Sequence, residues 1–437
     1  MRGRRGETTV CLRFAHVLQP CSPAAPTGPR MDQQERAFLS AALGADDERL
    51  ERRLLVGFHL IRECCRIADD QTWVPRVQVA KDAMDQAMVD GVFVPGDLEF
   101  VALVDLCDAL DSAAPFRPRV FSALAAYGVA LFREVSYPGA ESVFELLERL
   151  WTPSCDPRAR LEGGYYQGLV LIRGPNPLGA TELLPTLLAL RARAAREIEY
   201  VGFAKMLQLN RRLLRGNLPE TIRHAERMLQ WSIRLPSKRI EGFVYTVLAV
   251  THGRGGRFDQ VLRWSTCALA PEVHFTARLA ALNLIAQAFM DLHRFDAAQA
   301  AFELLLLAPT SQFRRYGWMG LMDVAVRRGE RRMFETCYRH VANQPINADS
   351  RINFLQVAGR GWAKFGDVDR ARLAFDQAYS LAREFGYGYE IIETEDLMNE
   401  LPDPAEVARA ADIAPEVAAH VTALRDEHAN EIAACMV

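Results

Sequence analysis

Long apolar runs are missing from this chain. No stretch reaches the roughly 18–20 uninterrupted apolar residues that a membrane-spanning helix needs. Phe302–Ala308 and Val101–Leu106 are the most apolar segments, and charge interrupts both, at Glu303 and Asp105, so they read as core helix. Paired-cysteine motifs are missing too. The nine cysteines (Cys11, Cys21, Cys64, Cys65, Cys107, Cys155, Cys267, Cys337 and Cys435) are scattered, odd in number and without a C-x-x-C. That excludes a disulfide framework and a zinc ribbon. Thiols among apolar neighbours act as small buried hydrophobes, which fits a reduced, cytoplasmic setting. There is no P-loop, no Gly-x-Ser-x-Gly elbow and no His-Glu-x-x-His, so three familiar routes to phosphate binding, acyl transfer and metal hydrolysis are closed. Lysine is scarce: of 52 basic residues only Lys81, Lys205, Lys238 and Lys364 are lysines. The arginine excess runs evenly along the chain and points to codon composition as much as to any ligand.

What is present is an ordinary globular mixture. Half of the 437 residues are hydrophobic, 24% are charged and the net charge is −3, so the whole chain is no polyanion binder by bulk electrostatics. The charge is unevenly placed. Residues 1–30 carry five arginines against Glu7, with four prolines, and read as a disordered or non-native leader. Arg191–Arg239 holds twelve Lys/Arg and four acids, and Glu390–Val437 holds twelve acids and two arginines. Between these lie a helical N-terminal region over 31–118, degenerate helical repeats over 119–200 and clear repeats over 201–388. The acidic segment over 389–437 reads as a polar cap, with an amphipathic helix over 417–432.

The apolar period is helical throughout. Leu50, Leu54, Leu55, Phe58, Ile61 and Cys65 fall on one face at steps of three and four. Nothing requires a strand, so the class is all-α. Five turns then recur at intervals of 36 to 40 residues: Arg215-Gly216-Asn217, Gly255-Gly256-Arg257, Leu292-His293-Arg294, Arg328-Gly329-Glu330 and Phe365-Gly366-Asp367. Such a period marks stacked helix pairs. The third unit reads Leu282-x-x-Ile285-Ala286-x-x-Phe289 before its turn and Ala298-x-x-x-Phe302 after it. The fifth reads Leu355-x-x-Ala358-Gly359-x-x-Trp362, then Ala371-x-x-x-Phe375-x-x-Ala378. This large–small–aromatic, Ala…Phe…Ala pattern resembles the tetratricopeptide repeat family over about Gly202–Gly386. Further upstream, Phe144-Glu145-Leu146-Leu147-Glu148-Arg149-Leu150-Trp151 with Gln167-Gly168-Leu169 resembles a small bacterial helical family, except that Phe144 stands where that family has His.

The tetratricopeptide resemblance implies a right-handed superhelix of antiparallel helix pairs whose first helices line a concave groove. It further implies groove positions at Phe203, Met206, Asn210, Phe243, Thr246, Asn283, Gln287, Tyr316, Met319, Asp323, Asn353, Gln356 and Arg360. About half of these are expected to face the groove and the rest to pack between helices. Amides donate and accept along an extended peptide, and aromatics and Met supply adaptable pockets. The paired Lys and Asn that clamp a terminal carboxylate in that family are not reproduced. The function expected is non-catalytic recognition of a protein or peptide, as a scaffold or regulatory sensor, with homo-oligomerisation open. Two alternatives remain: a transcription or signalling regulator with a nucleic-acid-contacting basic face, and a helical enzyme. No helix-turn-helix or RNA-binding signature supports the first. Against the second, Cys64-Cys65 with His59 and Glu63 is the one ligand-like cluster, and adjacent helical cysteines diverge by about 100°. The acids Glu393 and Glu395 read as solvated, so acid–base chemistry is not indicated. No cofactor or metal is expected.

Overall fold

The computed structural model describes residues 33–401 apart from 44–47, 71–72, 94–96, 113–115, 135, 173–182, 215, 236–237, 309, 343 and 345–347. The leader over 1–30 and the helix expected over 417–432 lie outside the described residues. Those residues form nineteen helices and no strand. The first eight are α1 (Gln33–Leu43), α2 (Glu48–Asp69), α3 (Gln78–Val89), α4 (Leu98–Asp111), α5 (Phe116–Arg133), α6 (Tyr137–Leu150), α7 (Pro157–Ile172) and α8 (Leu184–Ala194). Then come five pairs: α9 (Ile198–Leu214) with α10 (Leu218–Ser232), α11 (Arg239–Arg254) with α12 (Phe258–Ala268), α13 (Phe275–Asp291) with α14 (Phe295–Leu306), α15 (Ser311–Arg328) with α16 (Arg331–Ala342), and α17 (Ala348–Lys364) with α18 (Val368–Phe385). α19 (Gly388–Asn399) closes the series.

Local chemistry sets the helix ends. Asn217 starts α10: its Oδ1 accepts from Glu220 N at 3.2 Å and its amide donates to Glu220 Oε2 at 2.9 Å, a reciprocal cap. Asp367 starts α18 by accepting from Arg370 N at 3.2 Å. Each pair turns through one left-handed residue, with φ of +76° at Gly216, +68° at Gly256, +56° at His293, +79° at Gly329 and +86° at Gly366. The next residue donates to the carbonyl five positions back in four of these turns: Arg257 to His252, Arg294 to Phe289, Glu330 to Ala325 and Asp367 to Trp362, at 2.8–3.0 Å. That bond ties off the last helical turn and reverses the chain. His293 alone makes the turn without glycine.

Small residues bring the helices together. A Cβ on Gly359 would lie 2.4 Å from the Phe375 ring, one on Gly320 2.2 Å from Phe302, and one on Gly361 2.2 Å from Phe334. Each phenylalanine ring fills the space a Cβ would take, so these crossings admit no larger side chain. First helices also pack on first helices: α9 on α11, α11 on α13, α13 on α15 and α15 on α17. The upstream helices continue this order, with α5 on α7 and α7 on α9. One apolar core runs from Phe38 to Leu248 and another from Leu279 to Phe375. Of the cysteines in the described residues, Cys64, Cys65, Cys107, Cys155 and Cys337 are buried and Cys267 is exposed.

Buried charges strap the N-terminal helices to the array. Arg53 on α2 donates to Val92 O and to Glu99 Oε2, each at 3.2 Å, and pairs with Asp97. Glu99 has no exposed surface. Burial pushes its carboxyl up to about 8, outweighing the opposing pull of Arg53. Glu134, just past α5, sits 3.9 Å from Arg53 and accepts from Ser311 Oγ on α15 at 2.5 Å. Further on, Glu148 on α6 accepts two hydrogen bonds each from Arg160 and Arg191 at 2.7–3.2 Å. Burial works to raise its pKa, but the two guanidinium groups win and hold it below the ordinary carboxylate range. Phe144, at the position of the other family's His, is buried in the core.

Candidate partner-binding surface

The expected groove residues fall at fixed offsets from the left-handed residue of each turn. Phe203, Phe243, Tyr316 and Asn353 lie thirteen before it, and Met206, Thr246, Asn283, Met319 and Gln356 ten before it. Asn210, Gln287, Asp323 and Arg360 lie six before it. Offsets of i, i+3 and i+7 share one helix face, so each first helix presents one stripe.

Burial divides this stripe. Gln287 and Asn353 are exposed, and Asn210, Phe243, Asn283, Tyr316, Asp323 and Arg360 are half-buried. Phe203, Met206, Thr246, Met319 and Gln356 are buried, which leaves them no surface for a partner. The causes are visible. The Phe203 ring is 4.5 Å from that of Tyr165 and 6.3 Å from that of Phe243, with the Arg239 guanidinium 4.7 Å above it. It bridges neighbouring first helices. Thr246 Oγ1 donates to Phe243 O at 2.8 Å. Gln356 Nε2 donates to Thr394 Oγ1 on α19 at 2.9 Å, so the chain's own last described helix covers it.

The stripe extends one step further than the sequence reading took it. Two residues before the turn stand Arg254, Asp291, Arg327 and Lys364, a charge in four of five units. These meet the six-before residues in a polar strip. Asp323 Oδ1 lies 3.5 Å from Arg360 and 3.7 Å from Arg327. Arg254 pairs with Glu390 on α19 at 3.2 Å and donates to Leu213 O at 3.4 Å. Burial raises the Asp291 carboxyl against the pull of Arg327 and Arg360. It likewise raises Glu390 and Glu393, against Arg254 and Arg360 respectively. Glu393 is therefore no solvated acid, contrary to the sequence reading, and Glu395 accepts from Tyr379 OH at 3.0 Å. His252, four before the turn glycine Gly256, is buried, and burial lowers its pKa.

Several polar groups on the stripe are uncommitted. The side-chain amides of Asn210, Asn283, Gln287 and Asn353 make no hydrogen bond among the described residues. The buried Arg360 Nε makes none either, while Asp323 Oδ1 is committed to its ion pairs with Arg360 and Arg327. A buried polar atom left so costs about 1–3 kcal/mol, and an incoming amide or water relieves it. Among the described residues no group of three His, Cys, Asp or Glu could hold a metal ion, and no helix is long and apolar enough to cross a membrane.

No protein-family model matches the chain, and no curated protein does. Among solved structures it is similar to the "Crystal Structure of P58(IPK) TPR Domain", at 12% identity and a TM-score of 0.23, over 79% of this chain and 98% of that one. The repeat itself is a stack of helix pairs, marked by the recurring left-handed turn, the carbonyl bond five residues back and the glycine–phenylalanine crossings.

Proposed function

We propose that the chain is a non-catalytic helical-repeat protein that recognises a protein or peptide segment and acts as a scaffold or regulatory sensor. The observation that carries this reading is the row of uncommitted amides, Asn210, Asn283, Gln287 and Asn353, with Tyr316 and Phe243 half-buried on the same stripe. An extended peptide offers alternating N–H and C=O groups, and an amide matches both. The half-buried rings supply the apolar contact that holds a side chain of such a segment. The Asp323–Arg360 pair adds one fixed charge of each sign, which favours a definite orientation.

The test is selection of peptides from a display library on the full chain, followed by direct titration. Peptides that bind wild type and lose about tenfold or more on Asn283→Ala with Asn353→Ala support the reading. Both positions are accessible, so circular dichroism of that variant should be unchanged. Enriched peptides that bind the variant as tightly as wild type place recognition elsewhere and overturn it, as does the absence of any enriched peptide.

A further inference from the structure

Two stripes face each other across a cleft between α9 and α10. α9 contributes Lys205, Gln208, Leu209 and Arg212, and α10 contributes His224, Arg227, Met228 and Trp231. Each set recurs at helical steps of three and four, so each is one face of its helix. The cleft encloses about 230 Å³. Its apolar residues are Leu209, Met228 and Trp231, and its rim carries Lys205, Arg212 and Arg227. Lys205 Nζ stands 4.3 Å above the Trp231 ring. Arg212 lies 3.6 Å from Glu220. Lys205 and Arg227 are exposed, and neither has a carboxylate partner among the described residues. His224 Nδ1 donates to Glu220 O at 2.9 Å, because a carbonyl only accepts. Of these three cations above an apolar base, only Arg212 has a carboxylate partner among the described residues.

We propose that this cleft docks the acidic C-terminal segment of the same chain, residues 402–437. Charge complementarity is the first argument: that segment holds Asp403, Glu406, Asp412, Glu416, Asp426, Glu427 and Glu431 against two arginines. Apolar residues lie among these acids, with Val421 and Leu424 just before Asp426 and Glu427, matching a cleft that is basic at its rim and apolar within. Reach is the second. Glu390 on α19 bonds Arg254, which bonds the carbonyl of Leu213, the neighbour of Arg212. The path from Arg212 through these contacts and along α19 to Leu401 is roughly 35 Å, which about ten extended residues span. Every acid from Asp412 onward is then within reach. The docked segment masks the basic rim from other anions until a competitor displaces it. This surface is separate from the amide stripe, so either proposal can fail alone.

The scarcity of lysine gives the test its clarity. Zero-length carbodiimide coupling of the full chain joins a lysine amine to a carboxylate in contact with it, and the chain has four lysines. The pairs Lys81–Asp111 and Lys238–Glu241 are internal references. The expected product joins Lys205 to a carboxylate between 403 and 431 within one molecule. Its yield should fall about tenfold in high salt and in Arg212→Glu with Arg227→Glu. A second variant, Asp426→Asn with Glu427→Gln and Glu431→Gln, changes no residue of the cleft itself and should also lower it. If the reference products form but Lys205 joins nothing beyond residue 401, the proposal fails. If mixed isotope-labelled chains show Lys205 joined to another molecule, docking within one chain fails and a second copy is the occupant.

Discussion

At His293 the chain takes φ of +56° where the four matching turns have glycine. A Cβ in that conformation costs roughly 1–2 kcal/mol, and glycine removes the clash while adding freedom to the unfolded chain. His293→Gly is expected to stabilise the protein by about 0.5–1 kcal/mol, read as a rise in the urea midpoint; a fall would mean the imidazole does more than fill a turn. Glu99 makes a pH prediction. Its carboxyl is raised from an ordinary 4.5 to about 8. The folded state therefore holds a proton that the unfolded state has lost between these values. The stability this contributes is fully present below about 4.5 and is lost as pH rises through about 8. Glu99→Gln should flatten stability against pH across that window, and an unchanged slope in thermal melts from pH 5 to 8.5 would refute the assignment. The sequence showed the turn glycines because φ above zero selects glycine. It hid the burial of Met206 and Met319, because a helical period places them on the stripe without saying whether a neighbouring helix or solvent lies opposite.

At the scale of elements, α19 is the informative one. Its composition is acidic, and charge alone reads as a solvated cap. Instead Thr394 is fully buried and Glu390 reaches Arg254 on α11, across the intervening pairs. Composition could not show this, because the contact depends on how far the array curls. The helix pairs themselves were legible, since their turn spacing and their small-to-aromatic matches are local features. The charged position two before four of the five turns, Arg254, Asp291, Arg327 and Lys364, recurs in the sequence, but it took the observed ion pairs to show it as the continuation of one stripe. Arg254 and Glu390 are each less than a quarter exposed, so a double-mutant cycle of Arg254→Ala and Glu390→Gln should give a coupling of about 1 kcal/mol. Amides of α19 should exchange faster in Arg254→Ala. Additive effects with unchanged exchange would show that α19 is held by its apolar contacts alone.

At the scale of the molecule, the array bends back on itself at two polar joints. Ser311 meets Glu134 at one and Arg254 meets Glu390 at the other. Between them the first helices present amides, half-buried rings and the Asp323–Arg360 ion pair on a single stripe. Such a surface has the chemistry to hold an extended chain, while the crossings of Gly320, Gly359 and Gly361 against phenylalanine keep the helices that carry it in place. Partner identity was not legible, because on the proposed reading amides match the backbone of a bound segment and not its side chains. The most direct measurement is the structure of the full chain with a selected peptide bound. The account expects peptide backbone hydrogen-bonded to Asn283, Gln287 or Asn353, with Tyr316 against one of its side chains. A peptide seated on the second helices α12, α14 or α16, with those amides still unengaged, would contradict it.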